Sequence, residues 1–153
     1  MVIRQTDIRE FNTANQIHGL QQAAYRLESQ LIDYPHLPPL RETVEDLQHS
    51  TEQFVVFEEA GQILGAVSYE QVGDKLDICR LVVSPSHFRR GIAARLLEAV
   101  EFMEPAIRQV TVSTAEKNIP AVTLYQKQGY QVTQRTVLDD GLVLVQLQKQ
   151  VNP

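Results

Sequence analysis

Hydrophobic and polar positions change period sharply within residues 76–100 of this 153-residue chain. Leu76, Ile78, Leu81, Val82 and Val83 supply a strand's apolar side chains, and Ser84-Pro85 ends the run. Ile92, Leu96, Leu97 and Val100 then recur at helical spacing, so the pattern predicts a strand, a tight basic loop and a helix in succession. Towards the N-terminus, residues 1–7 read as a short strand. Phe11, Ala14, Ile17, Leu20, Ala24, Leu27 and Leu31 follow near helical spacing, with Asp7 as a cap and a break expected at His18-Gly19. Three prolines in five positions make residues 33–39 a loop, and residues 43–49 form a short helix. Residues 54–57 and 63–69 read as a hairpin turning near Gly61. After Pro105 come a strand over 110–114 and a helix capped by Asn118, with Pro120 in its first turn and Gly129 at its end. Strands over 130–138 and 141–148 complete the chain. About seven strands and four helices, with a strand-helix-strand crossover in the middle, imply a mixed α/β sheet covered by helices on both faces.

The length suits one domain, taken as residues 1–150 with 151–153 as a C-terminal tail. Fourteen basic against nineteen acidic side chains give a net charge of −5, which argues against a broad nucleic-acid surface. No run approaches the roughly 20 apolar residues of a membrane span, and the start lacks a signal peptide's apolar segment, so the expected location is the cytoplasm. Cys79 is the single cysteine and reads as a small buried hydrophobe. The four histidines lack metal-ligand spacing, so no metal is assigned.

Local positive charge matters more than the total. Arg89, Arg90 and Gly91 stand where the new helix begins, and there the first-turn N–H groups have no intrahelical partner. Free donors, the positive end of the helix dipole and two guanidinium groups favour phosphate, while Gly91 leaves room for close approach.

These residues resemble the GNAT family of N-acetyltransferases. That family's acyl-CoA signature is Gln or Arg, two variable residues, Gly, one variable residue, then Gly or Ala. It falls here on Phe88, Arg89, Arg90, Gly91, Ile92 and Ala93. A second block, Asn118 and Ala121 followed by Leu124-Tyr125 and Gly129-Tyr130, matches in the same order. Phe88 departs from the pattern, and the two arginines supply the charge it lacks. The resemblance implies a mixed, mostly antiparallel sheet of about seven strands flanked by about four helices, with acetyl-CoA as the acyl-donor cosubstrate. It places the diphosphate on the backbone of Arg89–Ala94, which includes Ile92 and Ala93. Leu81, Val82 and Val83 then offer backbone groups to the pantetheine arm, with the N–H of Val82 polarising the thioester carbonyl, and Asn118 belongs to the same binding set.

Amide formation needs a neutral amine, a stabilised oxyanion and a proton for the departing thiolate. The resemblance makes Tyr125 the general acid. Glu116 is the first choice for a base, beside a water chain that needs no single carboxylate. The acceptor pocket is expected from the N-terminal helices, the loop over 33–39 and the Asp139-Asp140 turn, where Asp33, Tyr34 and His36 are either selectors of a cationic amine or solvated loop residues held rigid by the prolines. The implied reaction is direct acetyl transfer to a primary amine of a small molecule or protein, by a monomer or weak homodimer. The rival readings are a coenzyme A-binding sensor without turnover and an interaction subunit.

Overall fold

A computed structural model describes residues 1–152. Its seven strands are β1 (Val2–Thr6), β2 (Gln53–Glu59), β3 (Gln62–Val72), β4 (Lys75–Val83), β5 (Gln109–Ala115), β6 (Gln131–Val137) and β7 (Val143–Gln150). They form one sheet in the order β1-β2-β3-β4-β5-β7-β6, antiparallel except where β4 meets β5. The helices are α1 (Phe11–Ile32), α2 (Val44–Gln48), α3 (Ile92–Glu101) and α4 (Ile119–Lys127). The expected mixed sheet with four helices is present.

Residues 54–57 are apolar without alternation because both faces of β2 are covered. Phe54 and Val56 pack with Ala14, Ile17 and Leu20 of α1, while Val55 and Phe57 pack with Leu96 and Leu97 of α3. Gly65 of β3 lets α3 lie close: a Cβ there would stand 2.8 Å from Ile92 Cγ2 and 3.1 Å from Leu96 Cδ1. This contact fixes the start of α3 against the end of β4.

Three expectations change. Helix α1 does not break at Gly19 but runs unbroken for 22 residues. A single exposed glycine costs about 1 kcal/mol relative to alanine, and the buried Ala14, Ile17, Leu20 and Gln21 on its inner face outweigh that. Asp7 does not cap the helix, because its carboxylate is taken by Arg9 at 3.0 Å. Leu27 and Leu31, placed by their spacing on the apolar stripe of this helix, are 43% and 52% exposed. Packing also runs past residue 150. Val151 is buried and donates its N–H to Arg108 O, and Asn152 Nδ2 donates to the carbonyls of Glu101 and Ile107. Pro153, the last residue of the expected tail, lies outside the described residues.

Candidate active site

The site begins where the sheet opens. β4 pairs with β5 from Lys75↔Gln109 to Ile78↔Val112 and no further. Beyond that point β4 stays with β3 up to Val83, and β5 stays with β7 up to Ala115. The cause lies in the register with β3: Ser68 faces Arg80 and Tyr69 faces Ile78, so Cys79 is an extra residue. Such a bulge bends its strand and ends regular pairing on the other side.

Register also decides which backbone groups face the gap. Ser84 N–H donates to Leu64 O at 2.8 Å, which makes that pair hydrogen-bonded. In an antiparallel ladder every second pair is of this kind, so Val82 exchanges its bonds with Ala66. The expected donor at Val82 is therefore turned towards β3. Leu81 and Val83 instead present their N–H and C=O groups to the opening. A groove of about 590 Å³ runs along this edge, lined by Leu81, Val82 and Val83 and, across from them, by Leu27 and Leu31 of α1.

At one end of the groove stands the start of α3. Gly91 occupies the N-cap position with φ of 75°, a conformation other residues enter at a cost, and no side chain caps the helix. The first intrahelical bond runs from Arg95 N–H to Gly91 O, so the N–H groups of Ile92, Ala93 and Ala94 have no partner within the helix. A Cβ on Gly91 would meet nothing within 4 Å, so the space before these donors is open. Arg89 holds a left-handed φ of 67° and lines the groove with the half-exposed Phe88. Arg90 does not join them: its guanidinium pairs with Glu59 at 2.7 Å and holds that carboxyl below its usual range. Of the two expected arginines, Arg89 alone lines the groove.

At its other end the groove meets a cavity of about 200 Å³. Tyr25, Glu28, Leu81, Asn118, Ala121 and Tyr125 line both spaces. Tyr125 packs edge to face with Tyr130 at 5.8 Å and is 5% exposed. Among the described residues no buried side-chain oxygen or nitrogen lacks a partner, and Tyr125 contributes no hydrogen bond of its own, so its hydroxyl opens onto the shared space. Burial, then the nearby Glu28, push its pKa up and keep it protonated at neutral pH. Asn118 Oδ1 accepts from Ala121 N–H at 3.2 Å, capping α4, and Asn118 Nδ2 donates to Glu28 Oε1 at 3.0 Å. Burial raises the pKa of Glu28 while that hydrogen bond opposes the rise.

Glu116 is not part of this junction. It follows the last residue of β5, its N–H bonds to Val143 O, and its carboxylate pairs with Arg135 of β6 at 2.7 Å. That pair lowers its pKa and holds it away from both cavities. The segments expected at the acceptor pocket border this small cavity with apolar residues: Ile32 and Leu37 on one side, Leu142 and Leu144 on the other. Of the expected polar selectors, Tyr34 donates to Asp140 at 2.6 Å and ties the two loops together, His36 contacts Arg41, and Asp33 is the exposed left-handed cap of α1.

Arg80 closes the cavity from β4. It donates to both oxygens of Glu42 and of Glu52 and to Gln21, joining α1, the segment before α2 and the start of β2. Burial opposes its charge, but the bonds to Glu52 and Glu42 outweigh that and raise its pKa. Beside it, Cys79 is exposed, with its thiol pushed up to about 12 by partial desolvation and then by Glu52, Asp77 and Glu70. The acidic groups of Glu52 and Glu70 come within 4.8 Å of the Cys79 sulfur, but Glu52 is committed to Arg80 and Ser68.

The model of the acetyltransferase (GNAT) domain matches residues 30–151. The chain belongs to the GNAT acetyltransferases. Among GNAT structures, the ribosomal-protein-S18-alanine N-acetyltransferase of Escherichia coli superposes with a TM-score of 0.77 over 99% of this chain and 94% of its own, at 14% identity. An aminoglycoside 6'-N-acetyltransferase complexed with coenzyme A gives 0.78 over 100% and 98%, at 16% identity. In sequence, UPF0157 protein YqkA of Bacillus subtilis is 38% identical over 136 residues, which are 89% of this chain and 40% of that protein. The peptidyl-lysine N-acetyltransferase YiaC of Escherichia coli is 32% identical over 89 residues, 58% of this chain and 57% of its own. The chain thus spans well under two thirds of the length of these two curated relatives.

Glu28 and Tyr25 are the junction residues that sequence reasoning missed. The signal was present in α1, where Ile17, Gln21, Tyr25, Glu28 and Ile32 follow each other at three or four residues, so that a carboxylate occupies the register of an inward face.

Proposed function

We propose that this domain transfers the acetyl group of acetyl-CoA directly to a primary amine of a small molecule or protein, within a ternary complex. One observation carries the reading: a groove that starts at the unpaired N–H groups of α3 joins a second cavity beside the hydroxyl of Tyr125. Donor and acceptor can therefore enter from different sides and meet. The groove fits acetyl-CoA in its chemistry. Free N–H groups, Arg89 and the open space at Gly91 suit a diphosphate, and the exposed edge of Leu81 and Val83 suits an amide-bearing arm.

The residues then divide the work. Ile92, Ala93 and Ala94 hold the anionic end by their N–H groups. The N–H of Leu81, which borders both spaces, polarises the carbonyl and stabilises the oxyanion as it develops. Tyr125, kept protonated by burial, gives its proton to the departing sulfur and regains one from the attacking nitrogen. The similarity to YiaC supports a protein amino group as one acceptor class. A cytoplasmic monomer or weak homodimer is the setting proposed, and among the described residues no helix is long and apolar enough to cross a membrane.

Release of free coenzyme A thiol from acetyl-CoA, measured against a panel of primary amines, tests the reading. The expected result is amine-dependent release with intersecting initial-rate lines. Tight coenzyme A binding without release makes the domain a binding module instead, and parallel lines overturn direct transfer.

A further inference from the structure

Glu28 is the single carboxylate residue lining the small cavity, and it also borders the donor groove. No cation neutralises it: among the described residues it enters no salt bridge, and its partner is the uncharged Asn118 Nδ2 at 3.0 Å. Arg80, the one cationic residue lining the same cavity, is committed to Glu42 and Glu52. A half-buried carboxylate with one neutral donor is short of a positive partner, because the remaining lone pairs have lost water without gaining charge compensation. Ile32, Leu37, Ile78, Leu142 and Leu144 give the cavity an apolar stretch of wall, beside the uncharged polar Ser113 and Thr114. At about 200 Å³ the space lies below the roughly 300–1,000 Å³ of pockets that hold drug-sized ligands.

We infer that the small cavity admits the unbranched alkyl stem of a primary amine, and that Glu28 binds its ammonium group and accepts the proton that must leave before the nitrogen attacks. The inference rests on the acetyl-transfer reading above and names its acceptor class. Asn118 has a second task in this arrangement. Its side chain caps α4 with one atom and orients the carboxylate with the other, so it acts as a positioning residue for Glu28.

The step balances. The ammonium gives one proton to the Glu28 carboxylate. The neutral nitrogen forms its bond to the thioester carbonyl carbon, and the carbon–sulfur bond breaks with its electron pair on sulfur. Sulfur takes the Tyr125 proton, the nitrogen's surplus proton restores Tyr125, and Glu28 returns its proton to solvent. Tyr25 on its own helix and Tyr125 and Asn118 at α4 are the neighbours of Glu28, and Cys79 and Arg80 of β4 are the other titratable groups lining the same cavity. Burial raises its pKa, so activity falls as pH drops through that raised value and the carboxylate becomes protonated.

The test compares wild type with Glu28→Gln, which keeps an acceptor for Asn118, and with Glu28→Asp. Probes are n-butylamine, a lysine-containing peptide and an aminosugar, each with acetyl-CoA. The expected result is a loss of about 10²- to 10⁴-fold in kcat/KM for both alkyl amines in Glu28→Gln, with partial recovery in Glu28→Asp. The acidic limb of the pH profile disappears in Glu28→Gln, and the Kd for acetyl-CoA stays within twofold in both variants. Equal turnover of the aminosugar by wild type overturns the acceptor class. Unchanged turnover in Glu28→Gln, or an acetyl-CoA Kd that weakens in step with activity, overturns the role of Glu28. If wild type releases no thiol with any amine, the transfer reading fails by itself. Calorimetric binding of n-butylamine, lost in Glu28→Gln or retained, then decides the ammonium site separately.

Discussion

The two spaces that meet at Tyr125 are made of different material. The groove proposed for the donor takes its hydrogen-bonding groups from backbone: the unpaired N–H groups of α3, the left-handed Arg89 and Gly91, and the edge of β4 released by the bulge at Cys79. The small cavity proposed for the acceptor draws on residues from six separate parts of the chain, held by the Arg80 network and the Tyr34–Asp140 bond. A backbone site depends on chain direction and on residues that permit it. A side-chain site depends on identities brought together from distant positions, so single substitutions change it more readily.

The comparison predicts that the largest loss of stability follows from cutting the network. The side chains of Arg80, Glu42 and Glu52 are 12%, 24% and 15% exposed. Arg80→Met leaves two carboxylates without their cation, and breaking a buried pair in this way costs about 3–5 kcal/mol. Chemical denaturation measures it. The pH dependence has a definite sign. Burial tends to raise the pKa of Glu52, but its bonds to Arg80 and Ser68 leave it lowered. The network's contribution is therefore complete above the ordinary glutamate range and is lost as pH falls through the folded-state value. The stability gap between wild type and Arg80→Met should close in acid, and a gap that persists there refutes this account.

Tyr125 stands where both spaces depend on one atom. Tyr125→Phe keeps the ring packing against Tyr130 and removes the proton, so kcat is expected to fall by about a hundredfold or more while acetyl-CoA binding holds. Steady-state rates with direct measurement of Kd separate the two effects. Equal weakening of binding and rate would make the hydroxyl a ligand contact rather than an acid.

The donor side was the more legible because backbone features leave local marks. Ser84-Pro85 ends a strand, Gly91 precedes a change of period, and Asn118-Ile119-Pro120 starts a helix; each is readable in a few residues. What was not readable is cross-strand. The bulge at Cys79 exists only in the register with Ser68 and Tyr69, and that register turns Val82 away and Leu81 towards the opening. Side-chain partners were similarly hidden: Arg89 and Arg90 are indistinguishable until Glu59 claims one of them. Glu116 looked close to the chemistry because it precedes Asn118 by two residues, yet Glu28, ninety residues before Asn118, is the carboxylate that reaches it. Leu27 and Leu31 kept the helical period of a core stripe and line the groove instead.

A smaller effect is expected where backbone geometry itself is disturbed. Gly65→Ala places a Cβ against Ile92 and Leu96, so α3 must shift or those side chains must turn. Overpacking of this kind costs about 1–3 kcal/mol. Because Ile92 opens α3, the displacement should also raise the KM for acetyl-CoA several-fold and leave the amine KM unaltered. A change in the amine KM alone would show that the two spaces are not separately built.

The smallest expected effect concerns Cys79, which lies at the hinge between the two materials and is the one thiol available for a covalent relay. Exposure alone suggests reactivity, but partial desolvation and then the acidic neighbours push its pKa up to about 12, so almost all of it is protonated at pH 8. Alkylation should be slower than for an unperturbed thiol by orders of magnitude and should accelerate steadily as pH rises towards that value. Incubation with acetyl-CoA in the absence of an amine should leave the protein mass unchanged. An acetyl group found on Cys79 and discharged by added amine at the turnover rate would replace direct transfer with a two-step path. The same result would make this bulge, now read as the device that opens the sheet, a catalytic element in its own right.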